Sequence, residues 1–300
     1  MPDESTTLRL VWPQWQGAEP EIVAELTPEL PFDEARRGYT VGTAVLSALL
    51  PPHDGPTAVV PVRMDDGGLD LEDGISAKAT VVEQLGAALA ILDEHRPERV
   101  VTLGGECSVS VAPFAELARR YGDDLAVLWV DSHPDVSVPA SEYDGYHAMA
   151  LAALTGHGAP EIVDRLPATV DPSRAALVGM HVPTFSDDLD NVAAWGISTF
   201  PPDTLRTTSE SLLDWLRATG CGKVALHLDV DVVDSEEIVL GLGMEPGGLR
   251  TTEVKRILSD VSAVADVVAL TVAEYIPRQV IRTLSFLRGL PMLDGKPAAD

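Results

Sequence analysis

The sequence predicts a three-layer α/β/α sandwich around a central, mostly parallel eight-stranded sheet. Short runs rich in apolar and β-branched residues alternate with longer amphipathic segments along the 300 residues. Several short runs are continuously apolar, which is typical of strands buried on both faces of a parallel sheet. The repeated strand–helix order favours one domain of this architecture.

Eight segments are predicted as strands, of which the sixth has the weakest pattern. In chain order they are Thr7–Val11, Thr57–Pro61, Arg99–Leu103, Leu125–Asp131, Ala175–Met180, Ile197–Phe200, Lys223–Val230 and Asp266–Ala273.

Helical periodicity is clearest over Ser76–His95, where Val81, Leu85 and Leu92 fall on one face and Pro97 follows the end. The segments Pro202–Thr219 and Thr251–Val264 show similar patterns. No repeat or low-complexity linker interrupts the chain. Residues 1–300 are therefore expected to form a single domain, with residues 1–6 and 291–300 loose at its ends.

Composition excludes several classes of protein. The 47 acidic residues outnumber the 21 basic ones and give a net charge of −26, which argues against binding to nucleic acid or to an anionic membrane surface. Two cysteines, Cys107 and Cys221, are too few for a disulfide scaffold. The polar N-terminal residues do not resemble a signal peptide, and no apolar run is long enough to span a membrane. We expect a cytoplasmic protein.

Four of the predicted strands are followed by polar residues. The four segments are Gly104–Ser108, Asp131–Asp135, Asp229–Asp231 and Glu274. In parallel α/β sheets, the chemistry lies at the carboxyl ends of the strands. These segments are therefore the candidate functional site.

Asp131, His133 and Asp135 form a D-x-H-x-D pattern, and Asp229 and Asp231 repeat the alternation after a second buried strand. Alternate residues leaving a strand can point the same way. Carboxylates and an imidazole on one side form a clamp for Mn²⁺ or a similar ion, and bridging carboxylates permit two ions. Either pattern alone is more often a cap or turn. Two of them, each after a buried strand, favour a metal site.

Together with Gly-Gly-Glu-Cys-Ser at 104–108, His147 and Glu274, these motifs resemble the arginase/agmatinase (ureohydrolase) family in order and spacing from about residue 40 to 290. The resemblance implies hydrolysis of a linear guanidino compound to urea, or a urea derivative, and an amine. It also implies two Mn²⁺ ions per chain and a homo-oligomer, commonly a trimer or hexamer.

The resemblance also implies roles for individual residues. Asp131 and Asp229 correspond to carboxylates that bridge the two ions, and His133 and Asp231 to further ligands of one of them. Asp135 and Cys107 correspond to ligands of the other ion. His147 corresponds to the residue that transfers a proton, and Glu274 to the partner of the substrate guanidinium.

Two departures from the family pattern leave alternatives open. Cys107 stands where the family usually has histidine, and a thiolate ligand favours Zn²⁺, Fe²⁺ or Ni²⁺ relative to Mn²⁺. Cys107 could equally be a small buried residue beside an impaired metal site. In the second departure, no acid stands within Gly179–Thr184, where arginases hold the substrate amino group, and Asp187 and Asp188 come later.

Several substrates and one other function therefore stay open. Arginine-, agmatine- and N-hydroxyarginine-like compounds are candidate substrates. The alternative is a metal-impaired, non-catalytic protein that binds a ligand or a partner. His227, inside the strand before Asp229, is expected to pack in the core or to orient a ligand rather than to bind metal.

Overall fold

A parallel sheet runs through the middle of the molecule in the computed structural model, which describes residues 7–182, 185 and 187–293. The strands are β1 Thr7–Trp12, β2 Thr57–Val59, β3 Leu71–Glu72, β4 Ile75–Ser76, β5 Arg99–Gly104, β6 Leu125–Val130, β7 Ala175–Val178, β8 Ser198–Phe200, β9 Lys223–Asp229 and β10 Asp266–Ala273.

Eight of these strands form the sheet, in the order β2-β1-β5-β10-β9-β6-β7-β8, and every neighbouring pair is parallel. β3 and β4 form a separate antiparallel hairpin. The predicted three-layer fold with an eight-stranded sheet is confirmed, and the sheet is entirely parallel.

The helices cover both faces of the sheet. They are α1 Pro20–Leu26, α2 Phe32–Ala35, α3 Gly38–Leu49, α4 Lys78–His95, α5 Val111–Tyr121, α6 Ala150–Leu154, α7 Pro160–Val163, α8 Asp188–Trp195, α9 Pro202–Leu205, α10 Glu210–Thr219, α11 Thr251–Val264 and α12 Val280–Leu287. Among the described residues, none of these helices has both the length and the apolar character needed to cross a bilayer.

The continuous apolar runs are explained by two separate hydrophobic cores. In β6, Val127 and Trp129 belong to the core under α4 and α5, whereas Leu128 and Val130 belong to the core under α10 and α11. Successive strand residues point to opposite faces, so a strand covered on both sides is apolar at every position. All six residues of β6 are buried.

Two predicted helix boundaries are wrong. The segment Pro202–Thr219 is not one helix, because the chain leaves the helical path between α9 and α10. There, Thr208 Oγ1 accepts a hydrogen bond from the backbone N–H of Glu210 at 3.2 Å, and such side chains compete with helical hydrogen bonding. The helix predicted from Ser76 begins at Lys78, because Ser76 pairs in β4 and Ala77 has a φ of 55°.

The ends of the chain are only partly described. Residues 1–6 and 294–300 of the predicted loose ends lie outside the described residues. Within the described part, Leu293 is 1 % exposed and packs in the core under α10 and α11. The chain is therefore still held by apolar contacts at residue 293.

Candidate metal centre

The carboxyl ends of four neighbouring strands, β5, β10, β9 and β6, meet at the middle of the sheet edge. This arrangement brings together the polar segments that follow these strands in the sequence. They surround a cavity of about 210 Å³. The predicted site residues that line it are Cys107, His133, Asp135, His147, Asp229, Asp231 and Glu274. Asp131 is fully buried beside them.

Asp131, His133 and Asp231 form a first group whose donor atoms all lie within 4.8 Å of one another. His133 Nδ1 is 3.3 Å from Asp231 Oδ2 and 3.5 Å from Asp131 Oδ1. Ser132 Oγ donates to Asp231 Oδ1 at 2.6 Å. Burial opposes protonation of His133, but the charges and hydrogen bonds of Asp231 and Asp131 raise its pKa well above the usual value. The group fits one divalent ion.

A second group consists of Cys107, Asp131, Asp135 and His227, whose donor atoms also lie within 4.8 Å of one another. Cys107 Sγ donates to Asp229 Oδ2 at 3.2 Å, so Asp229 adjoins this group. The indole Nε1 of Trp129 donates to Asp131 Oδ2 at 3.1 Å and to Asp135 Oδ2 at 3.2 Å. Asp131 belongs to both groups, as expected for a carboxylate shared by two ions.

Anionic crowding in these groups is severe. Burial, followed by the charges of Asp231 and Asp131, raises the pKa of Asp229 well above its usual range. Burial and the charge of Asp131 do the same for Asp135. Burial and the neighbouring carboxylates also raise the pKa of the Cys107 thiol. Among the described residues that line the cavity, none is a lysine or arginine. Crowded oxygen, nitrogen and sulfur donors with no lysine or arginine beside them fit divalent metal ions.

His147 and Glu274 form the opposite wall of the cavity. His147 Nδ1 is 3.2 Å from Glu274 Oε1, and its Nε2 is 2.9 Å from the hydroxyl of Tyr143. Burial alone would lower the pKa of His147, but the hydrogen bond and charge of Glu274, with help from Asp135, raise it to about 9. A pKa of about 9 favours the protonated form of His147 at neutral pH.

Glu274 also accepts a hydrogen bond from the backbone N–H of Cys107 at 3.1 Å. Arg278, four residues further along the chain, contacts Glu29 at 2.5 Å and the backbone carbonyls of Leu26 and Gly241. These contacts direct the guanidinium of Arg278 to groups other than Glu274.

The outer part of the cavity combines apolar and acidic side chains. Ile22, Leu26 and Leu242 line it, together with Phe185, whose ring stacks on Tyr143 at 5.3 Å between centroids. Two carboxylates, Asp188 and Glu245, also line it. An acid therefore does reach the cavity from beyond Gly179–Thr184, although it comes from the first residue of α8. Pro183 and Thr184 lie outside the described residues.

The sequence motifs did not single out two residues of this site. Tyr39, on α3, is fully buried beside Glu274, and burial together with that charge raises the pKa of its hydroxyl well above normal. Nothing in the sequence around Tyr39 signals this position. Tyr143 could have been found, because it precedes His147 by four residues. His227, in contrast, was expected to pack in the core or to orient a ligand, and it lies in the second group of donor atoms.

Comparisons with known proteins agree with this architecture. The chain matches the family model for the arginase family over residues 52–286. It is 28 % identical over 148 residues to the arginase of Staphylococcus aureus strain COL, a match that spans 46 % of this chain and 47 % of that protein. The chain thus covers about half the length of this relative.

Solved structures resemble the whole chain. The arginase of Entamoeba histolytica in complex with L-ornithine superposes with a TM-score of 0.74 at 17 % identity, covering 95 % of this chain and 98 % of that one. The arginase from Bacillus caldovelox gives a TM-score of 0.73 at 18 % identity, covering 98 % and 99 %. At these identities, the likeness concerns the fold.

Proposed function

This chain belongs to the arginase family, and from that premise we propose that it is a metal-dependent hydrolase of a linear guanidino compound. The products are urea, or a urea derivative, and an amine. One observation carries the proposal: a single cavity joins two groups of divalent-metal donors to the His147–Glu274 pair. The metal-donor groups give a place to activate water, and the His147–Glu274 pair gives a place to bind and protonate the substrate.

The proposed ligands come from the two groups of donor atoms and from Asp229, which adjoins the second group. Asp131 and Asp229 would be shared by two ions, His133 and Asp231 would hold one of them, and Asp135 and Cys107 would hold the other. Bound divalent ions lower the pKa of water and so supply hydroxide near neutral pH. Two Mn²⁺ ions per chain are proposed, with Ni²⁺, Zn²⁺ or Fe²⁺ as alternatives because Cys107 offers sulfur.

The substrate-binding step belongs to Glu274. Its carboxylate is buried and faces the cavity, where it can form two parallel hydrogen bonds with a planar guanidinium. The backbone N–H of Cys107 holds one of its oxygens in place. The guanidinium carbon is thereby kept next to the metal donors.

The proton-transfer step belongs to His147. The bond between the guanidinium carbon and the alkyl-bearing nitrogen breaks after a water oxygen has bonded to that carbon. The nitrogen leaves as the amine with a proton from His147, and the proton lost by the added water restores His147. With a pKa of about 9, His147 carries that proton at neutral pH. The hydroxyl of Tyr143 holds the ring in place through Nε2.

The substrate is proposed to be an arginine-, agmatine- or N-hydroxyarginine-like molecule. An aliphatic chain suits the apolar wall, and an ammonium group suits Asp188 or Glu245. We place the protein in the cytoplasm as a homo-oligomer, a trimer or hexamer, that binds neither nucleic acid nor membrane. The charge of −26 supports the last part of this proposal.

Urea release tests the proposed function. Apoprotein is supplied with Mn²⁺, Ni²⁺, Zn²⁺ or Fe²⁺ and assayed on arginine, agmatine and N-hydroxyarginine, with Asp229→Asn as the matched variant. We expect urea or hydroxyurea from at least one pairing and no measurable product from Asp229→Asn. Tight metal binding without product in any pairing would favour the non-catalytic alternative.

A further inference from the structure

The imidazole of His227 occupies a place in the metal centre that the proposed ligand set does not use. His227 precedes Asp229 by two residues on β9, so both side chains point to the same face of the sheet. Its side chain is completely buried. His227 does not line the cavity, so it reaches the donor groups from the sheet side, away from the substrate.

Two contacts fix the orientation of this ring. The indole of Trp129, its register partner on β6, stacks on it with 3.7 Å between ring centroids and 14° between planes. On one edge, Nδ1 lies 2.8 Å from Ser110 Oγ. Nε2, on the opposite edge, lies 3.7 Å from Asp131 Oδ2, and a ring nitrogen of His227 lies within 4.8 Å of the donor atoms of Cys107, Asp131 and Asp135.

No hydrogen bond explains the buried position of the Nε2 atom of His227. It has no hydrogen-bond partner among the described residues. The separation between Nε2 and Asp131 Oδ2 is 3.7 Å, which exceeds hydrogen-bond distance, and that oxygen already accepts from Trp129. A buried polar group left unpaired destabilises a protein by about 1–3 kcal/mol.

An ion bound by both residues would explain the 3.7 Å between His227 Nε2 and Asp131 Oδ2. Ligand atoms that each lie about 2.1 Å from one ion are about 3–4 Å apart. If the Nδ1–H of His227 donates to Ser110, Nε2 keeps a lone pair directed at the carboxylates. A lone pair and a carboxylate repel each other unless a cation lies between them.

We propose that His227 Nε2 is a nitrogen ligand of the ion held by Cys107, Asp131 and Asp135. The inference rests on the proposed function only in needing an ion at that site. It replaces the imidazole that the family places at position 107 with one that arrives from β9. Sulfur, nitrogen and carboxylate donors together favour Zn²⁺, Fe²⁺, Co²⁺ or Ni²⁺ over Mn²⁺ at this site.

Pulsed EPR on protein labelled with ¹⁵N-histidine tests the assignment, with Mn²⁺ as the probe. The His133→Asn/His147→Asn double variant leaves His227 as the one histidine of the cluster. We expect it to retain a bound ion with a ¹⁵N coupling of a directly bonded ligand. Adding His227→Gln should remove the coupling and weaken Mn²⁺ binding by at least about tenfold.

The outcomes separate this inference from the proposed function. A double variant that binds no ion, or binds one without ¹⁵N coupling, overturns the role of His227 while urea release by the wild type stands. Failure of the wild type to bind any ion overturns both. Trp129→Phe is the control, because it keeps a ring under His227 but removes the indole donor to Asp131 and Asp135. The ¹⁵N coupling should persist in the Trp129→Phe variant.

Discussion

Two acidic residues of the site have a left-handed backbone conformation, which is uncommon for residues other than glycine. The φ angles are 50° at Asp135 and 62° at Glu274. Such a conformation costs about 1–3 kcal/mol and persists where surrounding structure enforces it. At Glu274, it turns the chain directly after β10, so that the side chain enters the cavity between Cys107 and His147.

Replacing Glu274 by glutamine separates substrate binding from metal binding. The amide keeps the size of the side chain but loses the charge that pairs with a guanidinium. We expect unchanged metal content and a KM about 10- to 100-fold higher, because a hydrogen bond to a charged group contributes about 1.5–3 kcal/mol. Metal analysis and urea kinetics measure the two effects.

The control is Glu29→Gln, which removes a carboxylate that pairs with Arg278 outside the cavity. Its KM should match that of the wild type. Loss of metal from Glu274→Gln would instead make Glu274 a ligand, and an unchanged KM would remove its role in substrate binding.

At the scale of elements, the sequence was sufficient for the eight strands of the parallel sheet, because a buried run such as β6 is apolar on both faces. It did not predict the short hairpin of β3 and β4. The sequence did not indicate that the short polar segment between α9 and α10 separates two helices. There, the hydrogen bond at Thr208 and the contacts of Arg206 with the carbonyls of Gly247 and Gly248 depend on the folded chain.

The same distinction applies to the site. The motifs predicted residues that follow strand ends, such as Asp131 and Asp229, because all parallel strands end at one edge. Tyr39 comes from α3, far away in the sequence, and only packing brings it to Glu274. For His227, alternation predicts the correct face of β9. The unpaired Nε2 that faces the cluster is a three-dimensional property.

The amino ends of the central strands are joined by an ionic network. Asp266 at the start of β10 accepts hydrogen bonds from Arg99 of β5 at 2.5 Å and from Lys223 of β9 at 2.8 Å. Partial burial raises the pKa of Asp266, but these hydrogen bonds outweigh burial and lower it overall. Because the folded-state pKa is depressed, the stabilisation is present above the unfolded pKa of about 3.9 and is lost as pH falls below it.

Asp266→Asn should therefore destabilise the protein by about 1 kcal/mol at pH 7, a value discounted for its partial exposure. The difference in free energy of unfolding from wild type should shrink as pH falls below the unfolded pKa of about 3.9. Urea denaturation at several pH values measures it. Asp214→Asn is the control, because Asp214 pairs with Arg217 at 2.7 Å but is 72 % exposed, and it should change little. If the destabilisation caused by Asp266→Asn did not change with pH, the charge of Asp266 would not be its cause.

At the scale of the whole molecule, negative charge occurs in two distinct settings. Most of the net charge of −26 comes from solvated side chains, whose mutual repulsion is screened by salt with a Debye length of about 10 Å at 0.1 M. The carboxylates of the candidate metal centre are buried, including Asp131, Asp229 and Asp231. Salt screens buried charges much less, so these need a cation in contact with them.

The two settings predict different responses of the melting temperature of the apoprotein. Raising NaCl from about 0.05 to 0.5 M should stabilise wild type and the Asp131→Asn/Asp229→Asn variant alike, because it screens the common surface. Mn²⁺ should stabilise only the wild type, by about 2.7 kcal/mol when its concentration is 100 times the Kd. Without metal, the variant should melt above the wild type, because it relieves crowding between buried carboxylates.

A control with the same change of charge distinguishes the site from the surface. Asp123→Asn/Asp214→Asn also removes two negative charges, but from side chains that are 100 % and 72 % exposed. It should keep the full response to Mn²⁺ and melt close to the wild type without metal. Calorimetry in a chelator, in NaCl and in Mn²⁺ measures all three proteins. If Mn²⁺ raised the melting temperature of all three proteins equally, the ion would only screen the acidic surface. The buried carboxylates would then not form a specific metal site.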